Sequence, residues 1–171
     1  MKSAQTLAGL LYLAAFSLAI AAPHTWSGVV TLVVDGDTVH VRATPNAEPR
    51  SVRIQGIDAP ERCQLHGRQA TQALKDMALG RTVSVTTTQQ DDYGRDLTVL
   101  HLGRVDLGQQ LVLAGHAWSY RFKQDRGPYA EQEKQARQAQ HGLFANAAAQ
   151  YPGKFRRQHG PCQWGAPPAS R

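Results

Sequence analysis

Three carboxylates and an arginine stand at the ends of apolar segments early in the chain. Hydrolysis of a phosphodiester needs positive charge on the non-bridging oxygens, an activated water and help for the leaving oxygen. A hard divalent cation prefers oxygen ligands, and an arginine binds phosphate through two parallel hydrogen bonds. The pattern therefore predicts a metal-assisted phosphodiesterase site. Its residues, within the segments VDGDTV and RIQGIDAPE, are Asp37, Arg53, Asp58 and Glu61.

Each of these residues also has an ordinary structural interpretation. Asp37 follows a glycine and suits a turn, Asp58 precedes Ala-Pro and suits a side-chain cap, and Glu61 with Arg62 suits a solvated ion pair. Taken singly, these interpretations are at least as good as the functional one. The joint occurrence of the three carboxylates and the arginine at strand ends favours the phosphodiesterase site. A second phosphate-binding arginine is predicted at Arg95, which follows a DYG turn.

Runs of β-branched residues and helical spacings alternate along the chain. The order is typical of an α+β, mainly β fold, and we predict a five-stranded OB-type barrel with about three α-helices. Strands are predicted at 26–34, 37–43, 50–57, 82–88 and 95–102, and helices at 66–79, 107–114 and 128–140.

The position of Asp37 follows from strand periodicity, whereas that of Asp58 does not. Asp37 shares a face with Val39 and Val41, so it should lie at the end of the row that faces the core. By strict alternation, Arg53 and Asp58 would lie on opposite faces of one strand. A bulge at Gly56 would reset the alternation.

The two ends of the chain differ from the central part in composition. Residues 1–21 have a positive start, an apolar run and small residues before the predicted cleavage position, which indicates a secretory signal peptide. The mature protein should then be exported, to a periplasm or out of the cell, with no membrane span. We predict a domain at 22–146 and a basic, Pro/Gly-containing tail at 147–171 that is irregular and held only through Cys162. The formal charge of +6 suits a polyanionic partner, or serves only solubility.

The predicted export of the protein bears on the state of its two cysteines, Cys63 and Cys162. An even pair in an oxidising compartment favours a disulfide over two free thiols, and the chain has no ligand spacing typical of zinc. Such a bridge would bring the basic tail to the rim of the predicted site. There it would add phosphate contacts, restrict the groove or only stabilise the fold, and we favour stabilisation.

Three stretches together resemble the signature segments of the staphylococcal nuclease family. They are VDGDTV, RIQGIDAPE and DYGRDL, and the resemblance runs from about residue 30 to residue 146. It implies an OB-fold barrel and calcium-dependent cleavage of single-stranded DNA and RNA that leaves 3′-phosphate ends. A monomer is expected. The alternatives are a non-catalytic OB-fold module that binds nucleic acid or protein, and a phosphodiesterase that uses another cation.

The resemblance also implies a role for each matching position. Ala59 stands where the family often has Thr. Because the expected calcium ligand at this position is the backbone carbonyl, the change of side chain should cost little coordination. The implied set is Asp37, Asp58 and the Ala59 carbonyl as calcium ligands, Glu61 as general base, Arg53 and Arg95 on the phosphate, and Tyr93 and Tyr120 on the nucleotide.

Overall fold

A computed structural model describes residues 24–160 and Cys162; the predicted signal peptide lies outside these residues. Eight strands, four α-helices and one 3-10 helix follow one another along the described chain. The strands are β1 (His24–Val33), β2 (Thr38–Arg42), β3 (Arg50–Ile54), β4 (Ile57–Asp58), β5 (Thr82–Gln90), β6 (Asp96–Leu102), β7 (Val105–Asp106) and β8 (Trp118–Ser119). The helices are α1 (Gly67–Ala78), α2 (Leu107–Leu113), α3 (Ala130–Gln138) and α4 (Pro152–His159), with the 3-10 turn at Gly142–Ala145.

The main sheet closes on itself. Its strand order is β3-β2-β1-β5-β6-β7, and a further pairing joins β3 to β6 in parallel, with Val52 opposite Asp96 and Ile54 opposite Thr98. Strands β1, β2, β3, β5 and β6 therefore form a closed five-stranded barrel, which confirms the predicted α+β OB-type fold. The described residues contain four α-helices, where about three were predicted.

The barrel interior is filled by alternate strand residues and sealed by helices. Valines dominate because β-branched side chains pack well on a pleated surface. Helix α1 contributes Leu74 and Ala78, and α2 contributes Leu111. Asp106 caps α2, since its side chain accepts a hydrogen bond from the Gln109 amide at 3.1 Å. The buried strand residues include Val30, Val39, Val41, Val52, Ile54, Val83, Val85 and Leu100.

A turn, not a bulge, separates Arg53 from Asp58. Strand β3 ends at Ile54, and the chain turns through Gln55 and Gly56, whose φ is +80°. The next strand, β4, leaves the barrel sheet and pairs with β8 instead. A side chain at Gly56 would also lie 2.6 Å from Pro128 Cγ. Because of this change of direction, the side chains of Asp58 and Arg53 come within contact distance of each other.

The described residues beyond 146, which are 147–160 and Cys162, include a helix, which corrects the expectation of an irregular tail. This helix, α4, has proline at its start and buries Phe155 against the domain. The Tyr151 ring also meets Trp118 edge-on, with centroids 5.8 Å apart. The predicted bridge is present, because Cys63 and Cys162 form a disulfide with their Cα atoms 5.7 Å apart. Aromatic packing thus anchors α4 in addition to the disulfide.

Within residues 24–160 and Cys162, no helix is both long enough and apolar enough to cross a membrane.

Candidate active site

Strand register brings Asp37 and Arg53 together. Thr38 stands opposite Arg53 in the antiparallel β2–β3 ladder, and the Ile54 amide donates to the Asp37 carbonyl at 2.8 Å. Arg53 Nη1 then donates to Asp37 Oδ1 at 2.6 Å. The other oxygen, Oδ2, accepts from the Ala59 amide at 3.1 Å. The Asp37 carboxylate thus joins its own segment, VDGDTV, to the second predicted segment, RIQGIDAPE.

Asp58 lies on the opposite side of the same guanidinium. Arg53 Nη2 is 3.3 Å from Asp58 Oδ1, so one arginine bridges the two carboxylates predicted to bind calcium. Asp37 and Asp58 are almost completely buried, at 3% and 1% exposure. Buried carboxylates need compensating charge, and Arg53 supplies part of it.

Glu61 sits in a short loop that is tied to α1. The Glu61 amide donates to the Gln64 side chain at 3.1 Å, and the Gln64 amide donates back to the Glu61 carbonyl at 2.8 Å. Gln64 itself is buried, and its side-chain amide also donates to the Gln150 carbonyl. The loop therefore holds Glu61 at the mouth of the site with its side chain 23% exposed.

The first residue of α1 must be glycine for this loop to close. A Cβ at Gly67 would lie 1.8 Å from the Glu61 carbonyl oxygen. Gly67→Ala should therefore lower the free energy of unfolding by about 2–3 kcal/mol, since overpacking against backbone cannot be relieved by a rotamer change. Chemical denaturation measures this difference.

Gly153 in α4 provides the matched control for that substitution. A Cβ there would meet only movable side-chain atoms, the Tyr151 ring at 3.3 Å and Arg156 Nη2 at 3.7 Å. Gly153→Ala should be neutral or stabilising by up to about 1 kcal/mol. Equal stability of Gly67→Ala and the unaltered protein would contradict the close approach between α1 and the Glu61 loop.

Arg156 of α4 completes the cluster, and sequence analysis did not single it out. Its Nη1 lies 3.2 Å from Asp58 Oδ1 and 2.8 Å from Glu61 Oε1, and its Nη2 lies 3.3 Å from Asp58 Oδ2. The available signal was indirect. Cys162 lies near Arg156 in the chain, and its bridge to Cys63 brings the tail close to Glu61.

Arg95 faces the same region from the start of β6 but is bound to a different carboxylate. Its Nε and Nη2 each lie 2.7 Å from Asp91 Oδ2, and the Asp91 side chain also accepts from the Arg95 amide at 2.9 Å. The guanidinium carbon lies 5.2 Å from the centre of the Tyr93 ring. Tyr93 is 85% exposed, so its ring is available for contact with a ligand.

One open cavity of about 1150 Å³ joins these groups. The structure brings all the predicted site residues to it except Asp58, which lies just behind its wall, bonded to Arg53 and Arg156. Tyr120 lies on the far wall beside Phe122, and both aromatic rings are exposed. The lining residues from the predicted set are Asp37, Arg53, Ala59, Glu61, Tyr93, Arg95 and Tyr120.

The cluster carries more negative than positive charge. Asp35 also lines the cavity, and its side chain accepts from the Asp37 amide at 3.1 Å. Burial and the charge of Asp37 raise the pKa of Asp35 to about 7. Burial also raises the pKa of Asp58; Arg156 opposes this rise and Asp37 reinforces it. Burial is the largest cause of both shifts, and the neighbouring charge of Asp37 adds to it.

The donor chemistry fits a hard divalent cation. Four carboxyl groups surround two guanidinium groups, so the acids outnumber the arginines even when Asp35 is protonated; they are Asp35, Asp37, Asp58 and Glu61. All the donors are oxygens, as such a cation prefers. Among residues 24–160 and Cys162, no group of three or more His, Cys, Asp or Glu side chains is arranged to hold a metal. The Ala59 carbonyl remains a predicted third ligand.

Residues 51–146, more than half of the chain, match the family described as staphylococcal nuclease homologue. The matched segment holds Arg53, Asp58, Glu61 and Arg95, while Asp37 precedes it.

Single relatives extend the similarity beyond that segment. A protein of Shigella flexneri named micrococcal nuclease is 37% identical, over 92% of this chain and 96% of its own length. An uncharacterized endonuclease of Escherichia coli O157:H7 is 36% identical, over 70% of this chain and 78% of its own. Protein ParB of Escherichia coli is 33% identical, over 85% and 89%. With its barrel and its matched segments, the chain belongs to the staphylococcal nuclease family.

Proposed function

We propose that this protein is an exported, calcium-dependent nuclease that hydrolyses single-stranded DNA and RNA with little sequence selectivity and leaves 3′-phosphate ends. That it is a hydrolase of the nuclease class follows from its family and its relatives. The cation, the substrates, the products and the location are our inferences. The disulfide supports export, because such bridges persist in oxidising compartments.

The observation that carries the proposal is one arginine held between two buried carboxylates beside an open cavity. A site used only for stability would more simply bury apolar side chains, since a buried ion pair contributes little net stability. Asp37, Asp58 and the Ala59 carbonyl would hold calcium. When bound, calcium supplies positive charge for the non-bridging oxygens of the phosphate.

The remaining residues divide the chemistry between them. Arg53 is positioned by Asp37 and Asp58 to bind a phosphate oxygen, and its geometry is fixed before substrate arrives. Glu61, partly exposed at the cavity mouth, takes the proton from the attacking water. Arg95 exchanges its contact with Asp91 for the phosphate and stabilises the charge that develops.

The aromatic residues suit an extended single strand. Tyr93 and Tyr120 lie on the walls of the same cavity and expose their rings. Bases of any sequence stack on aromatic side chains, which gives affinity with little selectivity. The monomer is sufficient for this proposal, because every residue in it comes from one chain.

A cleavage assay with three metal conditions tests the proposal. The oxidised mature protein is incubated with single-stranded DNA and with RNA, in calcium, in magnesium and in chelator. We expect cleavage in calcium, at least about 100-fold slower cleavage in chelator, and 3′-phosphate ends on the products. Equal rates in chelator would exclude the metal assignment.

Binding without cleavage would favour the alternative, a non-catalytic OB-fold module. The charged groups argue against that alternative. A module that only binds has no need to bury Asp37 and Asp58 together, because buried carboxylates repel the phosphate backbone.

A further inference from the structure

Arg156 enters the site from outside the barrel. A single guanidinium contacts both oxygens of Asp58, at 3.2 and 3.3 Å, and reaches Glu61 at 2.8 Å. It thus bridges the carboxylate expected to bind calcium and the carboxylate expected to act as base.

The contact is held in place by the surrounding helix. Phe155, the preceding residue, is 6% exposed, and Tyr151 packs edge-on against Trp118. Beyond the helix, Cys162 is bonded to Cys63, which lies two residues after Glu61. A tethered group meets its partner at a high effective concentration, so Arg156 competes strongly for these carboxylates even though its side chain is 40% exposed.

A guanidinium in this position neutralises the charge of the carboxylates and occupies their oxygens, as a bound cation would. It occupies the lone pairs of Asp58 and adds a positive charge where calcium would have to enter. We propose that Arg156 is an intramolecular competitor of calcium, which must displace it from Asp58 and Glu61 before the site is active. The C-terminal helix would then set the calcium concentration at which the enzyme works. This inference rests on the calcium-dependent function proposed above.

A direct role of Arg156 in binding substrate phosphate is the competing explanation. Arg156 lines the same cavity as Arg53 and Arg95. The three hydrogen bonds that its guanidinium donates to Asp58 and Glu61, however, all go to carboxylates, and they engage both oxygens of Asp58. Because the Arg156 guanidinium is already bonded to carboxylates, the arrangement favours competition with a cation over direct binding of a substrate phosphate.

Calcium binding without substrate tests the inference. Isothermal titration of the chelator-treated, oxidised protein with calcium chloride gives Kd for the unaltered protein, for Arg156→Gln and for Arg157→Gln. Arg157 is the control, because it is the next residue in α4, is exposed, and loses the same charge. We expect Arg156→Gln to lower Kd about tenfold and Arg157→Gln to change it less than about twofold.

A second variant separates charge from geometry. Arg156→Lys keeps the charge but cannot form the two-pronged contact, so its Kd should fall between those of the unaltered protein and Arg156→Gln. Circular dichroism checks that each variant is folded. If Arg156→Gln does not fold, the position of Arg156→Lys relative to the unaltered protein decides the question.

The possible results separate this inference from the proposed function. Calcium binding that is unchanged or weaker in Arg156→Gln overturns the competitor role alone. Slower cleavage with an unchanged Kd does the same and assigns Arg156 to substrate. If neither protein binds calcium, the calcium assignment fails and the competitor role fails with it. Tighter binding in Arg156→Gln supports both.

Discussion

Glu61→Gln is expected to lower the rate of cleavage by about 10²- to 10⁴-fold, which is the usual contribution of a positioned general base. The change is nearly isosteric, and the backbone contacts that Glu61 makes with Gln64 do not involve its carboxylate. The loop should therefore keep its shape while the site loses its proton acceptor. The initial rate of release of acid-soluble nucleotides from single-stranded DNA in saturating calcium measures the effect.

Two further proteins make that result interpretable. Glu131→Gln removes a carboxylate from α3 whose side chain is 75% exposed, and it should leave the rate unchanged. Because Glu61 also contacts Arg156, the substitution should be repeated in the Arg156→Gln background, where the loss should persist. A Glu61→Gln enzyme that retains a near-normal rate in both backgrounds would exclude Glu61 as the base.

Removal of the disulfide, by Cys63→Ser together with Cys162→Ser, has the largest expected effect on stability. The bridge joins residues separated by 99 positions and so restricts the unfolded chain strongly. Chain entropy sets an upper bound of roughly 4–5 kcal/mol for a loop of this length, and we expect a loss of about 2–5 kcal/mol in the free energy of unfolding.

Guanidinium denaturation of oxidised protein, reduced protein and the double serine variant measures this loss. The reduced and double-serine proteins should agree, because both lack only the cross-link. An unchanged midpoint in the double-serine variant would mean that aromatic packing alone holds α4, through Phe155 and the Trp118–Tyr151 pair.

Periodicity and turn residues predicted the barrel, because a strand with one buried face repeats every two residues wherever the chain is regular. The burial of Asp37 in the row of Val39 and Val41 followed from this rule. The rule failed where the chain leaves the sheet. Asp58 lies in β4, which forms a separate two-stranded sheet with β8 and places Asp58 opposite Trp118. No local sequence pattern predicts that the chain pairs with a different strand at this point.

Long-range contacts account for the rest of what sequence analysis missed. Arg156 contacts Glu61 across 95 positions and Asp58 across 98. Only the tertiary packing of α4 determines which of its basic residues turns inward. In the same way, Asp91 binds Arg95, and sequence analysis did not single out Asp91. The side-chain types are visible in the sequence, but their partners depend on the folded barrel.

The parallel pairing of β3 with β6 also has a consequence for how the enzyme comes into being. This ladder places Arg53 opposite Leu97, so strands far apart in sequence must meet before the two arginines can face one cavity. Contacts of such high contact order form late, because loop closure must precede them. We therefore expect a chain that has formed only its early hairpin to hold its first acidic turn without the two arginines that are predicted to bind phosphate. On this expectation, catalytic activity appears only once the barrel has closed, and incompletely folded chains do not cut nucleic acid.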